Sequence, residues 1–165
     1  MIKIDVIKKC NFNVTKKFCK EIFELVLEYF ILEKRGNKRK NLSFPNIEFS
    51  ITFDKDIRQL NRQYRNVDKN TNVLTFSLYK NKQQLMDGFE KMPCIILGDI
   101  FFSYDKIKEE MREQNKTFHN HFTHLLIHSY LHLLTLDHMK KQEQKKMEMI
   151  EINVLKKLGI DNPYV

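Results

Sequence analysis

Residues 2 to 7, IKIDVI, alternate between apolar and polar positions and predict a strand. After Asn13 the period lengthens. Phe18, Ile22, Leu25, Val26 and Tyr29 recur at helical spacing, with Lys16, Lys17, Glu21, Glu24 and Glu28 among the polar positions. Glu24 and Glu28 break the apolar run that ends at Leu32, so this is a core helix and not a membrane span. Gly36 and Pro45 punctuate the loop KRGNKRKNLSFPN that follows. Ile47, Phe49 and Ile51 then alternate with Glu48, Ser50 and Thr52, which predicts a half-buried strand. Asp54 is expected to cap a helix carrying Ile57, Leu60 and Tyr64. Residues 80 to 92, KNKQQLMDGFEKM, are polar and irregular and read as a loop. CIILGDIFF, residues 94 to 102, has the apolar continuity of a strand buried on both faces. Ser103 can cap a helix running to about Gln114. At the far end, Met147, Ile150, Val154 and Leu158 form one stripe closed by Gly159, with Met147 and Met149 read as packing residues. Strands interleaved with helices predict an α+β fold, a small mixed sheet packed with helices, in one domain over residues 1–165.

Between the last two helices lies HNHFTHLLIHSYLHLLTLDH, which holds every histidine of the chain. His128, His132 and His138 stand in the pattern H-x-x-x-H-x-x-x-x-x-H. Residues four apart on a helix share a face with Cβ atoms about 6 Å apart, so His128 and His132 can reach one metal ion. His138 would lie about 9 Å beyond His132 if the helix continued. The helix must therefore end near Leu134 to Leu136, and the returning chain must bring His138 under the same face. Three neutral nitrogen ligands with an open fourth position is the arrangement of catalytic zinc. His121, His124 and His128 span about 10 Å of helix rise and cannot share an ion without breaking the helix. His124 is then a neighbour of the site or a satisfied core histidine, and His119 and His121 belong to a solvated helix start. Ser129 follows the first ligand where the H-E-x-x-H pattern of metalloproteases has its general base. Any hydrolysis must draw on a metal-activated water or on a group from elsewhere in the chain.

The segment HSYLHLLTLDH resembles the signature H-G-x-L-H-L-x-G-Y-D-H of the YbeY family of bacterial zinc-dependent endoribonucleases. All three histidines, Leu131, Leu133 and Asp137 match, whereas Ser129, Thr135 and Leu136 replace Gly, Gly and Tyr. The glycine replaced by Thr135 sits where the chain turns after the metal helix, a place that favours positive φ. LNRQYRNVDKNTNVLTFS, residues 60 to 77, is similar to a second family block, L-N-x-x-Y-R-x-x-D-x-x-T-[DN]-V-L-S-F, with Thr75 at the serine position and Ser77 where proline is common. LGDI, with Gly98 and Asp99, is a third and weaker one. Read by itself, Arg65 ends a helix and could offset its dipole. The resemblance implies instead an arginine that reaches the metal cleft and holds a phosphate bidentately. Asp99 is either a cap for a neighbouring loop or a partner of the site.

Charge changes the picture less than the motifs do. The net charge of +8 draws the protein towards polyanions, although lysine is abundant throughout the chain. Lys34, Arg35, Lys38, Arg39 and Lys40 crowd one loop, which is either solvated surface or a phosphate contact. Cys10, Cys19 and Cys94 are odd in number and lack C-x-x-C spacing, as suits reduced thiols in a cytoplasm. No signal peptide and no membrane-length apolar run are visible. What the resemblance implies is a single-strand-specific endoribonuclease with one Zn²⁺ on His128, His132 and His138 and a catalytic Arg65. It would act in maturation of small-subunit ribosomal RNA and in ribosome quality control, with RNA and the small ribosomal subunit as partners, and neither DNA nor membrane. A zinc hydrolase with another substrate, and a non-catalytic metal-binding ribosome-assembly factor, are the alternatives.

Overall fold

Alternation at the start of the chain becomes β1 (Ile2–Lys8) of a mixed sheet, described in a computed structural model covering residues 1–35, 45–138 and 141–164, the side chains of 32–35 excepted. β2 (Asn46–Asp54), β3 (Val73–Ser77) and β4 (Cys94–Ser103) complete it in the order β1-β2-β4-β3. β1 runs parallel to β2 and β2 parallel to β4, while β3 pairs antiparallel to β4 at the edge. The helices are α1 (Lys16–Arg35), α2 (Arg58–Arg65), α3 (Lys82–Lys91), α4 (Tyr104–Glu113), α5 (Phe118–Leu133) and α6 (Lys141–Lys157). This is the α+β arrangement the patterning predicts.

β4 is not buried on both faces. Ile95 and Leu97 face the core, and after an irregularity Ile100 and Phe102 do so, while Ile96 is 55% exposed and Asp99 lies open. The register steps from Glu48 opposite Ile96 to Ser50 opposite Asp99, so β4 carries one extra residue. Gly98 occupies the slip at φ 136°, and a Cβ there would lie 1.9 Å from the Phe76 carbonyl oxygen. The bulge turns Asp99 to the solvent face, where its carboxylate accepts a hydrogen bond from the Ser50 hydroxyl. Asp99 therefore neither caps a loop nor borders the histidines.

Three further expectations change at element ends. Asp54 does not cap α2: it closes β2, accepts the Lys55 N–H and pairs with Lys9 at 3.2 Å. The Asp56 carboxylate accepts the Arg58 N–H instead, at 2.9 Å, and Tyr64 is 60% exposed rather than packed in the core. Residues 82 to 91 are a helix, not a loop. Asn81 accepts the Gln84 N–H, and Leu85 and Phe89, one turn apart, are buried. On α6, Met147, Ile150 and Val154 are buried, but Met149 and Leu158 are exposed.

α5 is the element around which the others pack. It touches β3, β4, α1, α4 and α6. Leu126, Ile127, Tyr130, Leu131 and Leu133 are all fully buried, so the helix is apolar over most of its circumference. The Tyr130 hydroxyl donates to the Cys19 carbonyl at 2.9 Å, and its ring meets Phe23 and Phe49, tying α5 to α1 and the sheet. Buried Ser129, which replaces a glycine of the resembled signature, donates to the Leu125 carbonyl at 2.7 Å and leaves no unsatisfied hydroxyl.

α5 stops where the histidine spacing requires. Thr135 takes up φ 63°, its N–H bonds the His132 carbonyl, and the Leu136 N–H bonds the Leu131 carbonyl, both at 2.9 Å. This is a Schellman ending with a β-branched residue at the left-handed position usually held by glycine. The Thr135 hydroxyl is also buried without a hydrogen-bond partner. Ser77, at the end of β3, reaches the Leu133 carbonyl at 3.1 Å and fixes this terminus against the sheet edge.

Two substitutions test this account by urea denaturation of the metal-free protein. Thr135→Gly relieves the strain and removes the orphaned hydroxyl, and should stabilise by up to about 1 kcal/mol. Gly98→Ala should destabilise by at least about 2 kcal/mol, because neither the Phe76 carbonyl nor the positive φ can yield cheaply.

Candidate metal centre

α5 presents His128 and His132 one turn apart, and the Thr135 turn returns the chain so that His138 faces them. One ring nitrogen from each of the three lies within 4.8 Å of the others. The His128 and His132 Nε2 atoms are 3.1 Å apart, close to the roughly 3.3 Å edge of a tetrahedron with Zn–N bonds of about 2.0–2.1 Å. His138 is exposed, and its backbone N–H is held by the Asp137 carboxylate at 2.7 Å. Burial, and then the neighbouring His128 and His138, push the His132 imidazole down to about 4. It is therefore neutral over the ordinary pH range, as a ligand must be. The two Nε2 atoms at this distance can share a hydrogen, and the same spacing suits two lone pairs on one cation. The donor set fits a divalent transition metal.

Behind the triad sits a carboxylate that periodicity does not reveal. Glu151 on α6 has 0% exposed surface, yet it lies on the same face as Met147, Ile150, Val154 and Leu155. Its Oε1 accepts from His128 Nδ1 at 2.9 Å, and its Oε2 from His124 Nε2 at 3.2 Å and from the Tyr164 hydroxyl. Burial works to raise its pKa, but these three donors outweigh it and hold the carboxyl down to about 2. The signal in the sequence was a lone glutamate at a core position of MEMIEINVL, which a buried charge requires to be paired. Burial and the adjacent Glu151 carboxylate together raise the Tyr164 phenol well above its ordinary value.

His124 is thus a neighbour of the triad, satisfied by Glu151. His121 is not part of a solvated helix start. It is only 4% exposed and shares its Nε2 with Glu110 at 2.9 Å, and Asn72 donates to the same carboxylate oxygen. Burial opposes ionisation of Glu110, but the hydrogen bonds from His121 and Asn72 keep its pKa below the usual value. His119 is exposed, as expected.

The triad opens into a cleft of about 350 Å³ bordered by Thr71, Val73 and Thr75 from the β3 side and by His124 and Tyr164. Arg65 borders the same cleft from the end of α2. Its helix ends at Asn66 in the left-handed conformation, and the chain that follows is braced by Asn61 on the Lys69 carbonyl and by the Arg58–Asp68 fork at 2.8 and 3.1 Å. Arg58 is thus occupied, whereas Arg65 is exposed and makes no ion pair among the described residues. No carboxylate lines the cleft among the described residues. The basic residues of the loop after α1 fall outside what the structure describes: Lys38, Arg39 and Lys40 altogether, Lys34 and Arg35 in their side chains.

Comparison with known proteins agrees with the geometry. A family model described as "Endoribonuclease YbeY" matches residues 5–159. An "Endoribonuclease YbeY" of Colwellia psychrerythraea is 39% identical over 155 residues, covering 92% of this chain and 90% of its own. A protein of the same name from Sinorhizobium medicae is 37% identical over 143 residues, covering 86% and 82%. The solution structure of TM1509 from Thermotoga maritima shares the fold, with a TM-score of 0.52 at 22% identity over 100% of this chain and 99% of that one. With a family model spanning nearly its whole length and relatives this similar, the chain belongs to the YbeY family.

Proposed function

We propose that this protein is a metal-dependent endoribonuclease acting on single-stranded RNA, in the maturation of small-subunit ribosomal RNA and in ribosome quality control. The observation that carries the reading is the convergence of His128, His132 and His138 on one point in a cleft that Arg65 also lines. The curated relatives are named as endoribonucleases, which favours RNA over another substrate and catalysis over a passive assembly role.

His128, His132 and His138 would hold the ion, and Zn²⁺ suits three imidazoles with a fourth position open to the cleft. When bound, such an ion lowers the pKa of a water and polarises a phosphoryl oxygen. The protein's own part is positional. Arg65, with no carboxylate to neutralise it, presents a planar fork to the phosphate and meets the charge that grows on its oxygens. Thr71, Thr75 and Asn72 border the path between arginine and histidines and offer neutral hydrogen bonds to the backbone of the strand. The cleft holds no acidic side chain among the described residues that would repel a phosphodiester. Lysine-rich surface would gather the rest of the RNA. The protein's place would be the cytoplasm, beside the small ribosomal subunit, and three unpaired thiols suit a reducing compartment.

Elemental analysis of the purified protein should give about one transition metal per chain, and His132→Ala should empty the site. Full occupancy in that variant would sink the ligand assignment.

Single-turnover cleavage of a single-stranded RNA separates an enzyme from a binder. Arg65→Ala should slow it by about a hundredfold or more while affinity for an uncleavable analogue falls much less. Arg65→Lys keeps the charge without the fork and should fall between the two. Equal losses of rate and affinity would reduce Arg65 to a substrate clamp.

Binding should also weaken steeply with salt, at a log–log slope of about −0.7 per phosphate contact. Neutralising Lys38, Arg39 and Lys40 together should flatten that slope; an unaltered slope would return the loop to solvated surface.

A further inference from the structure

The carboxylate behind the triad has no part in the reaction as derived above, and it does not line the cleft that holds Arg65. Glu151 is fully buried on α6, and three donors converge on it: His128 Nδ1, His124 Nε2 and the Tyr164 hydroxyl. Burying a charge in the core is costly unless it is paired and hydrogen-bonded, as this one is. An ionised carboxylate only accepts hydrogen bonds, so each partner must supply the proton. His128 therefore carries its hydrogen on Nδ1, and its Nε2, the atom 3.1 Å from His132 Nε2, is left as a bare lone pair. A free histidine side chain in water prefers the other tautomer, with hydrogen on Nε2, which would close His128 to a metal. Reorienting the ring is also blocked, because Nδ1 is anchored 2.9 Å from Oε1.

We propose that Glu151 is a positioning residue of the metal centre, a carboxylate that locks His128 in the Nδ1–H tautomer with Nε2 aimed at the ion. This rests on the metal-centre reading of the histidine triad. The same carboxylate fastens His124 and Tyr164, so one buried charge sets a ligand, its helical neighbour and the aromatic edge of the cleft. Partners of this kind behind a ligand histidine are worth about 10- to 100-fold in metal affinity. His124 takes the second oxygen of the same carboxylate without itself belonging to the ligand set.

Two measurements on the full chain test this. Long-range ¹H–¹⁵N spectra of the metal-free wild type, at a pH where His128 is neutral, should show His128 as the Nδ1–H tautomer. In Glu151→Gln the Nε2–H form should grow, and affinity for Zn²⁺, measured by competition with a chromophoric chelator, should fall about 10- to 100-fold. A merely structural role would alter the thermal midpoint of the metal-free protein while leaving tautomer and affinity in place, and that result would overturn the inference. If Glu151→Gln does not fold, the wild-type spectrum decides alone, and an Nε2–H ring on His128 refutes the proposal. Should the wild type itself bind no Zn²⁺, the triad reading fails and this inference with it. Tight wild-type binding matched by the Gln variant removes only Glu151.

Discussion

The site exists because α5 stops where it does. One more turn of helix would send His138 away along the axis; an earlier stop would lose His132. The two backbone hydrogen bonds from residues 135 and 136 to the carbonyls of His132 and Leu131 set that boundary, and Ser77 clamps it to the edge of the sheet. Thr135 sustains the left-handed turn although its side chain disfavours it, which means the surrounding packing overdetermines the bend. A strained residue in this position is what a conformation selected for geometry rather than local preference looks like.

Upstream of that boundary, rigidity comes from burial. α5 is enclosed by two strands and three helices, and Tyr130 and Ser129 satisfy their hydroxyls inside the enclosure. Two of the metal-facing histidines thus ride on a helix packed against two strands and three other helices, while the third arrives on a short exposed return. Catalytic groups held by packed helices need little ordering when substrate arrives. Arg65 is the counterpart in the cleft: it stands at a helix end whose following loop is braced by Asn61, Arg58 and Asp68. The LNRQYRNVD block therefore reads as a braced scaffold that brings one of its two arginines, Arg65, to the cleft.

Much of this was legible before any coordinates. The strand and long helix at the start and the Gly159 cap follow from period and capping chemistry, and the histidine spacing alone required a helix end near Leu134 to Leu136 and the return of His138. What stayed hidden had physical causes. α3 was obscured because its polar positions outnumber the two large apolar residues, Leu85 and Phe89, that it buries beside Gly88. Asp54 looked like a cap because Asp54 and Asp56 both precede the helix, and only the length of β2 decides between them. His121 and Glu151 were missed for a shared reason. A buried titratable group announces itself through its partner, and Glu110 and His128 lie 11 and 23 residues away, beyond any local window.

The bulge at Gly98 carries a consequence for how the chain tolerates change. Core-facing positions in β4 are odd-numbered before it and even-numbered after it. Selection on this strand must accordingly slip phase once: Ile95, Leu97, Ile100 and Phe102 are bound to stay apolar, whereas exposed Ile96 is free to become polar, as Asp99 already is. Loss of the extra residue would set Leu97 opposite Phe49 and keep Asp99 opposite Ser50, a regular ladder with every side chain on its present face. A residue added to β4 without a second bulge would instead turn every position beyond it to the other face, so the strand can shed its irregularity more cheaply than it can lengthen.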